Sequence, residues 1–395
     1  MIDLFARRCR LVASGLVLWV WISAPAIADT ALRAADDVFV AIDRTPWTID
    51  VDELVANDTT APGARFELLT EPTRGDLETF ESEPGMPLAL TYDPGPVVYA
   101  AWDRLTYRLV DGDGESEPAT VWIRRMPRLR PVAGRWPTPS CHPADCPPRI
   151  EIGAQAEIGF YDTVAAVFVL CDWTGPALEA CREAHLPPPF DRPGWEPLLG
   201  DWDDDGWTDF GVYDLTDGTL HLFRLVADDA EGGSLATSLV PLATTSLGVA
   251  GDLPLSGSWD GGPPEQLGVY RPSSAQFFLE SSTQPPNPPP ANLDGAGQPL
   301  AGDWWIGGHD ELAVWSPEES RLLLFDRMLS PDHLELVLYH SLTGLPLSGD
   351  AFAGHLIDPS SHSFLGIYDA EEGLLHLRTL CDGCGALALQ VIVDP

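Results

Sequence analysis

Pro197-Leu-Leu-Gly-Asp-Trp-Asp-Asp-Asp-Gly-Trp-Thr-Asp-Phe-Gly-Val-Tyr-Asp214 places two apolar steps on either side of an acidic turn. The second step recurs as Ile158-Gly-Phe-Tyr-Asp162, Phe210-Gly-Val-Tyr-Asp214, Leu267-Gly-Val-Tyr270, Leu312-Ala-Val-Trp315 and Leu365-Gly-Ile-Tyr-Asp369. Measured at its second residue, the copies stand 52, 57, 45 and 53 residues apart. Each is followed by a second short apolar run: Val167–Leu170, Leu220–Leu225, Gln276–Leu279, Arg321–Phe325 and Leu374–Leu377. Tight-turn residues such as Thr216-Asp217-Gly218 between two such runs predict a hairpin. The first step precedes four of the copies, as Pro197-Leu-Leu-Gly-Asp-Trp202, Pro254-Leu-Ser-Gly-Ser-Trp259, Pro299-Leu-Ala-Gly-Asp-Trp304 and Pro346-Leu-Ser-Gly-Asp350. A unit of about 50 residues is long enough for a four-stranded sheet that must stack on its neighbours to bury its faces. Residues 150–395 are therefore expected to form about five such stacked sheets.

These phrases resemble the FG-GAP/VCBS-type propeller repeat. The nearest copy is Gly251-Asp-Leu-Pro-Leu-Ser-Gly-Ser-Trp-Asp-Gly-Gly262 followed by Leu267-Gly-Val-Tyr-Arg-Pro272. The resemblance covers most of residues 150–395 and is weak in the first copy, which lacks the preceding phrase. The resemblance implies a β-propeller, here of about five blades; integrin-like members of the family have seven, more than this segment can supply.

Inside the quoted stretch, Asp201, Asp203, Asp205 and Asp209 follow the order D-x-D-x-D-G-x-x-D. Alternating side chains at positions 1, 3 and 5 converge, glycine permits the sharp turn, the Trp207 carbonyl adds an oxygen, and the acid at position 9 closes the shell. This predicts one Ca2+ site without the helices of an EF-hand. The other loops have lost the pattern. The third offers Ser258, Asp260, Gly262 and Gln266, the fourth Asp303, Trp305, Gly307 and Glu311, and the fifth keeps Asp350 alone. Trp202, Trp259 and Trp304 recur at one repeat position, as wedges between blades or as sugar-stacking platforms.

Upstream, residues 29–126 contain short alternating runs, Val38–Ile42, Trp47–Val51, Phe66–Leu69, Leu88–Tyr92, Leu105–Val110 and Ala119–Ile123, separated by turn signals such as Asp93-Pro94-Gly95-Pro96. That spacing predicts a β-sandwich. Ile49-Asp-Val-Asp-Glu-Leu-Val-Ala-Asn-Asp58, Pro72-Thr-Arg-Gly-Asp-Leu77 and Asp103-Arg-Leu-Thr-Tyr-Arg-Leu-Val-Asp-Gly-Asp-Gly114 resemble bacterial Ig-like, cadherin-like tandem domains. The resemblance implies a spacer or adhesive module, and it implies that Gly75 of the integrin-type Arg74-Gly75-Asp76 is a turn glycine. Asp36, Asp37, Asp58, Asp111 and Asp113 are a second candidate set for calcium.

Arg7, Arg8 and Arg10, the apolar run Leu11–Ile22 and Ala26-Ile27-Ala28 read as a cleavable signal peptide over residues 1–28. The expected location is therefore secreted, periplasmic or cell-surface. Six cysteines then remain in close pairs, Cys141/Cys146, Cys171/Cys181 and Cys381/Cys384, and an even count in an exported chain predicts disulfides. A zinc site using His142 and a redox pair at Cys381–Cys384 are the alternatives. Residues 127–149, rich in Pro and Arg, read as a linker, either solvated or lying against its acidic neighbours.

The 395 residues carry 60 Asp+Glu against 22 basic residues, every one of them arginine, for a net charge of −38. Such a chain does not bind nucleic acid by neutralising phosphates, and without lysine it has neither a Schiff-base nor a P-loop residue. No H-E-x-x-H or G-x-S-x-G occurs. His221 and His376 share a repeat position, which marks structure. Nothing singles out a carboxylate pair for glycoside hydrolysis. The expectation is a monomeric, non-enzymatic recognition or adhesion protein for an unidentified protein or glycan ligand, with no membrane span after signal cleavage. The alternative is a secreted polysaccharide-binding or polysaccharide-cleaving protein.

Overall fold

The computed structural model describes residues 32–60, 63–83, 86–97, 99–112, 114–136, 157–173, 178–227, 237–259, 261–280, 297–304, 309–330, 333–342, 349–354, 363–379 and 388–392. The signal-peptide reading, Asp113, Asp260, Trp305, Gly307 and four of the six paired cysteines (Cys141, Cys146, Cys381, Cys384) lie outside them. The chain is all-β.

The first unit is a sandwich. Its strands are β1 (Asp37–Ile42), β2 (Trp47–Asp50), β3 (Arg65–Thr70), β4 (Asp76–Glu83), β5 (Met86–Asp93), β6 (Ala101–Val110) and β7 (Ala119–Met126), with one helical turn, α1 (Val51–Leu54), after β2. One sheet runs β1-β7-β6-β3, with β1 parallel to β7, and the other runs β2-β5-β4. Period-two alternation builds the core. Leu105, Tyr107 and Leu109 of β6 point inward against Ile49, Leu90 and Phe66, while Arg104 of the same strand stays exposed.

Five antiparallel meanders follow. The first blade is β8 (Leu129–Gly134), β9 (Glu157–Asp162), β10 (Val167–Trp173) and β11 (Leu178–His185). The second is β12 (Glu196–Gly200), β13 (Asp209–Asp214), β14 (Thr219–Ala227) and β15 (Thr237–Ser246). The third is β16 (Leu253–Gly257), β17 (Gln266–Arg271) and β18 (Gln276–Leu279). The fourth is β19 (Gln298–Gly302), β20 (Glu311–Ser316), β21 (Arg321–Ser330) and β22 (His333–Leu342). The fifth is β23 (Asp350–Gly354), β24 (Phe364–Asp369), β25 (Leu374–Thr379) and β26 (Ala388–Ile392). The leading strands pack on one another in order, β8 on β12, β12 on β16, β16 on β19, β19 on β23, and β23 back on β8. This is a closed five-bladed ring. A short parallel ladder, Ala184↔Thr237 and His185↔Ser238, also joins the outer strands of the first two blades.

The ladders correct two readings of the sequence. Pro197, Pro254 and Pro299 pair with Val212, Val269 and Val314, and Pro131 pairs with Phe160 in the same register. The first blade therefore does have its leading phrase, Pro131-Val-Ala-Gly-Arg-Trp136, inside the stretch expected to be linker. Proline is tolerated here because each leading strand is the inner edge of its sheet and needs no donor on that side. In the fifth blade Ala351 pairs with Ile367. The phrase is thus Asp350-Ala-Phe-Ala-Gly354, not Pro346–Asp350, and Asp350 begins an inner strand instead of a calcium loop.

The glycine of the phrase has a steric cause. A Cβ on Gly134 would lie 2.9 Å from the Thr208 side chain, one on Gly257 2.9 Å from Asp310 Oδ2, and one on Gly302 2.9 Å from Ser363 Cβ. These obstacles belong to the following blade; at Gly257 the ring of Trp259, in its own blade, stands in the way as well, at 2.8 Å. We expect Gly302→Val to cost about 1–3 kcal/mol, the range for overpacking. The urea midpoint should fall, because Ser363 is fully buried and cannot retreat.

Candidate metal centre

The loop from Asp201 to Thr208 leaves the end of β12 and returns as β13. Asp204 and Gly206 adopt left-handed conformations, with φ of 57° and 83°, which fold the loop back on itself. Two Asx contacts and a longer one fix the turn: Asp203 Oδ1 accepts the Asp205 N–H at 3.3 Å and Asp205 Oδ1 that of Trp207 at 2.8 Å, while Asp201 Oδ2 accepts the Gly206 N–H at 3.0 Å. The result brings one carboxylate oxygen each of Asp201, Asp203 and Asp205 within 4.8 Å of one another. Asp201 Oδ1 is buried and accepts no hydrogen bond.

Two arginines frame the loop. Arg224 of β14 pairs with Asp203. Arg135, just beyond β8, accepts the Thr208 N–H at its carbonyl, donates its own N–H to Thr208 Oγ1 at 2.7 Å and its Nη1 to the Gly206 carbonyl at 3.3 Å, and lies 4.8 Å over the Trp207 ring. The loop is thereby anchored to the first blade. Burial raises the Asp201 carboxyl, with Asp205 and Asp203 adding to it. Burial, then the charge of Asp203, pushes Asp209 up to about 7. Carboxylates held this close repel one another when ionised, and a cation bound between them would relieve that repulsion.

Of the five predicted ligands, Asp201, Asp203 and Asp205 come together. Trp207 enters through its N–H and its ring. Asp209 has a different partner, since its Oδ2 accepts the Trp202 N–H at 3.3 Å. Gln266 does the same for Trp259 and Glu311 for Trp304, both at 2.8 Å. Position 9 of the loop is therefore filled in three blades by whatever side chain caps the tryptophan, charged or neutral. The turn motif had hidden this second role. Among the described residues no other cluster of this kind occurs. In the third loop Ser258 Oγ instead donates to the Gly262 carbonyl, at 3.1 Å.

The remaining candidates are accounted for by packing. Trp136, Trp259 and Trp304 are buried, and Trp202, half-buried, donates Nε1 to Ser256 Oγ at 3.0 Å. They are wedges. Asp58 accepts the Ala35 N–H and the Tyr107 hydroxyl, Asp37 is bonded by Tyr107 and Asn57, and Asp36 accepts the Thr120 N–H. Asp111 accepts the Gly114 N–H within a turn. In the Arg74-Gly75-Asp76 tripeptide, Arg74 pairs with Glu318 of the fourth blade and donates to the Trp102 carbonyl, and Gly75 lies against the Tyr92 ring with no room for a Cβ. His221, lowered by burial, sits between Phe190 and Trp195 and bonds Thr244. Cys171 and Cys181 form a disulfide across β10 and β11.

No family model matches the chain, and no curated protein matches it.

Proposed function

We propose that this chain is an exported, non-enzymatic recognition or adhesion protein whose Ig-like sandwich is seated on a calcium-stabilised propeller. The observation that carries the reading is the loop in which Asp201, Asp203 and Asp205 gather within 4.8 Å on a turn already shaped by their own backbone bonds. Calcium takes oxygen ligands of this kind. The Cys171–Cys181 disulfide supports an oxidising compartment, whether periplasm, cell surface or medium. No helix among the described residues is long and apolar enough to cross a membrane. Burial puts the rings of Trp136, Trp259 and Trp304 out of reach of a saccharide, which leaves the half-buried Trp202 as the one of these repeated tryptophans that a sugar could meet.

Calcium at a hundred times its Kd should stabilise the fold by about 2.7 kcal/mol. Thermal melting should show a shift of several degrees that chelator reverses and Asp203→Ala abolishes. A melting point indifferent to both would remove the metal from the reading. A glycan array run beside a hydrolysis screen tests the rest. Binding without turnover supports recognition, whereas turnover abolished by a single carboxylate substitution overturns it.

A further inference from the structure

One register position of the five leading strands carries a buried ring of side chains, which the sandwich meets at Glu196, Leu253 and Asp350. It holds Arg130 in the first blade, Glu196 in the second, Leu253 in the third, Gln298 in the fourth and Asp350 in the fifth, and all five are buried. Arg130 reaches both ways around the ring, with Nη1 2.9 Å from Glu196 Oε1 and Nε 2.7 Å from Asp350 Oδ2. Gln298 exchanges two hydrogen bonds with the Ala351 backbone, at 2.8 and 3.1 Å. A polar girdle thus joins the fourth, fifth, first and second blades.

The junction between the fifth and first blades differs from the other four. Successive blades are joined by the chain, and the first two also by a ladder. Among the described residues no ladder crosses from the fifth blade to the first, because each is made of consecutive strands. That seam is closed by the Arg130–Asp350 pair and by an apolar contact of Ile158 and Phe160 with Phe352, Phe364 and Tyr368. The sandwich holds the groups on either side. Arg124 of β7, fully buried and 5.5 Å over the Trp102 ring, donates Nη2 to Glu196 at 3.2 Å. The Ala100 N–H donates to Asp350 Oδ1 at 2.6 Å.

We propose that the sandwich is the clasp of the propeller ring: through Arg124 on Glu196 and Ala100 on Asp350 it clamps the second and fifth blades about Arg130, and the seam between the fifth and first blades is where the ring opens when that clamp is released. A buried guanidinium with one carboxylate partner is weak evidence for net stability, but removing one member of such a network leaves the others buried and uncompensated. Its best-supported use is to fix one arrangement of packed parts, and here the parts are the two ends of an open chain of blades.

The test reads thiol accessibility in the full chain. Ile158 and Leu312 occupy the same register in the first and fourth blades and are both buried, but Ile158 faces the seam and Leu312 packs with third-blade residues across a chain-connected junction. Cysteine is placed at one or the other and maleimide labelling is followed by peptide mass spectrometry. The Cys at 158 should label faster than that at 312, and Arg124→Met should speed the first on the order of a hundredfold while leaving the second unchanged. Equal labelling of the two thiols, or an Arg124→Met effect that is absent or equal at both, would overturn the clasp. Should Arg124→Met not fold, Arg124→Lys replaces it, and the comparison of the two thiols with Arg124 intact decides by itself.

Discussion

Trp304→Ala is expected to lower the stability of the protein by about 3–5 kcal/mol, the range for truncating a buried tryptophan. Trp304 is 1 % exposed and lies with Leu300, Ala313, Ala351, Leu365 and Ile367 between the fourth and fifth blades. Three features make collapse around the missing ring difficult. Its backbone N–H is tied to buried Glu311. The neighbouring Gly302 is already in contact with Ser363 of the fifth blade. The Ser363 N–H is in turn bonded to the carbonyl of Asp303. The cavity therefore persists, and its cost adds to the lost transfer energy. The indole Nε1 has no hydrogen-bond partner, so Trp304→Phe should cost much less than Trp304→Ala. Trp202→Ala should also cost less, because Trp202 is only half-buried. Urea denaturation of the three variants measures the order. A loss of under 1 kcal/mol in Trp304→Ala would mean that the blades do not depend on the wedge.

The pattern of Pro, Gly and Trp explains why most of the propeller was legible in the sequence. Each letter of the phrase answers one geometric demand: an inner edge that needs no donor, a close approach by the next blade, and a gap between two sheets. These demands repeat, so the letters repeat. The first blade escaped because its phrase sits in a stretch whose Pro and Arg content is that of a linker. The fifth was misplaced because Asp350-Ala-Phe-Ala-Gly354 keeps only the glycine, while Pro346–Asp350 copies the letters without the register. The position between sandwich and propeller was illegible for a different reason. Arg124 and Arg125 close the last sandwich strand, and Arg130 falls in the stretch read as a linker that is either solvated or lies against its acidic neighbours; all three are buried, Arg124 and Arg130 on carboxylates, as the second alternative has it for Arg130, and Arg125 on the Pro94 carbonyl. Composition records the charge of a residue but not the partner it finds across more than 60 residues of chain. The acidic loop was legible as a turn with converging carboxylates. Only the ladder showed that Asp209 has the same capping task as Gln266 and Glu311.

Asp103→Asn is expected to destabilise the sandwich by about 3–5 kcal/mol, because at least two hydrogen bonds to an ionised carboxylate, each worth about 1.5–3 kcal/mol, are lost. Asp103 is 2 % exposed. Its Oδ1 accepts the N–H groups of Thr73 at 2.8 Å and Arg104 at 2.9 Å; its Oδ2 accepts those of Arg74 and Gly75 at 3.0 Å and the Tyr92 hydroxyl at 2.9 Å. An ionised carboxylate accepts at both oxygens, whereas an amide must turn an NH2 toward N–H groups that have no other partner. Burial by itself raises this carboxyl, but the bonds from Thr73, Tyr92, Arg104 and Gly75 outweigh it and hold the group below the ordinary carboxylate range. The sign of the pH dependence follows. A depressed folded pKa contributes stability that is fully present above the unfolded value of about 3.9 and is lost as pH falls through the folded value. The gap between wild type and Asp103→Asn should therefore be constant from pH 5 to 8 and begin to close only below about pH 4. Melting curves of the two proteins across that range measure it directly. A gap that widened on acidification would show that Asp103 is held in its protonated form. The five bonds would then have to be reassigned, with a carboxyl O–H donating to one of the groups around it. The turn over Arg74 and Gly75, which brings Arg74 to Glu318 on the fourth blade, hangs on this one carboxylate. Its loss should therefore also loosen the sandwich from the propeller.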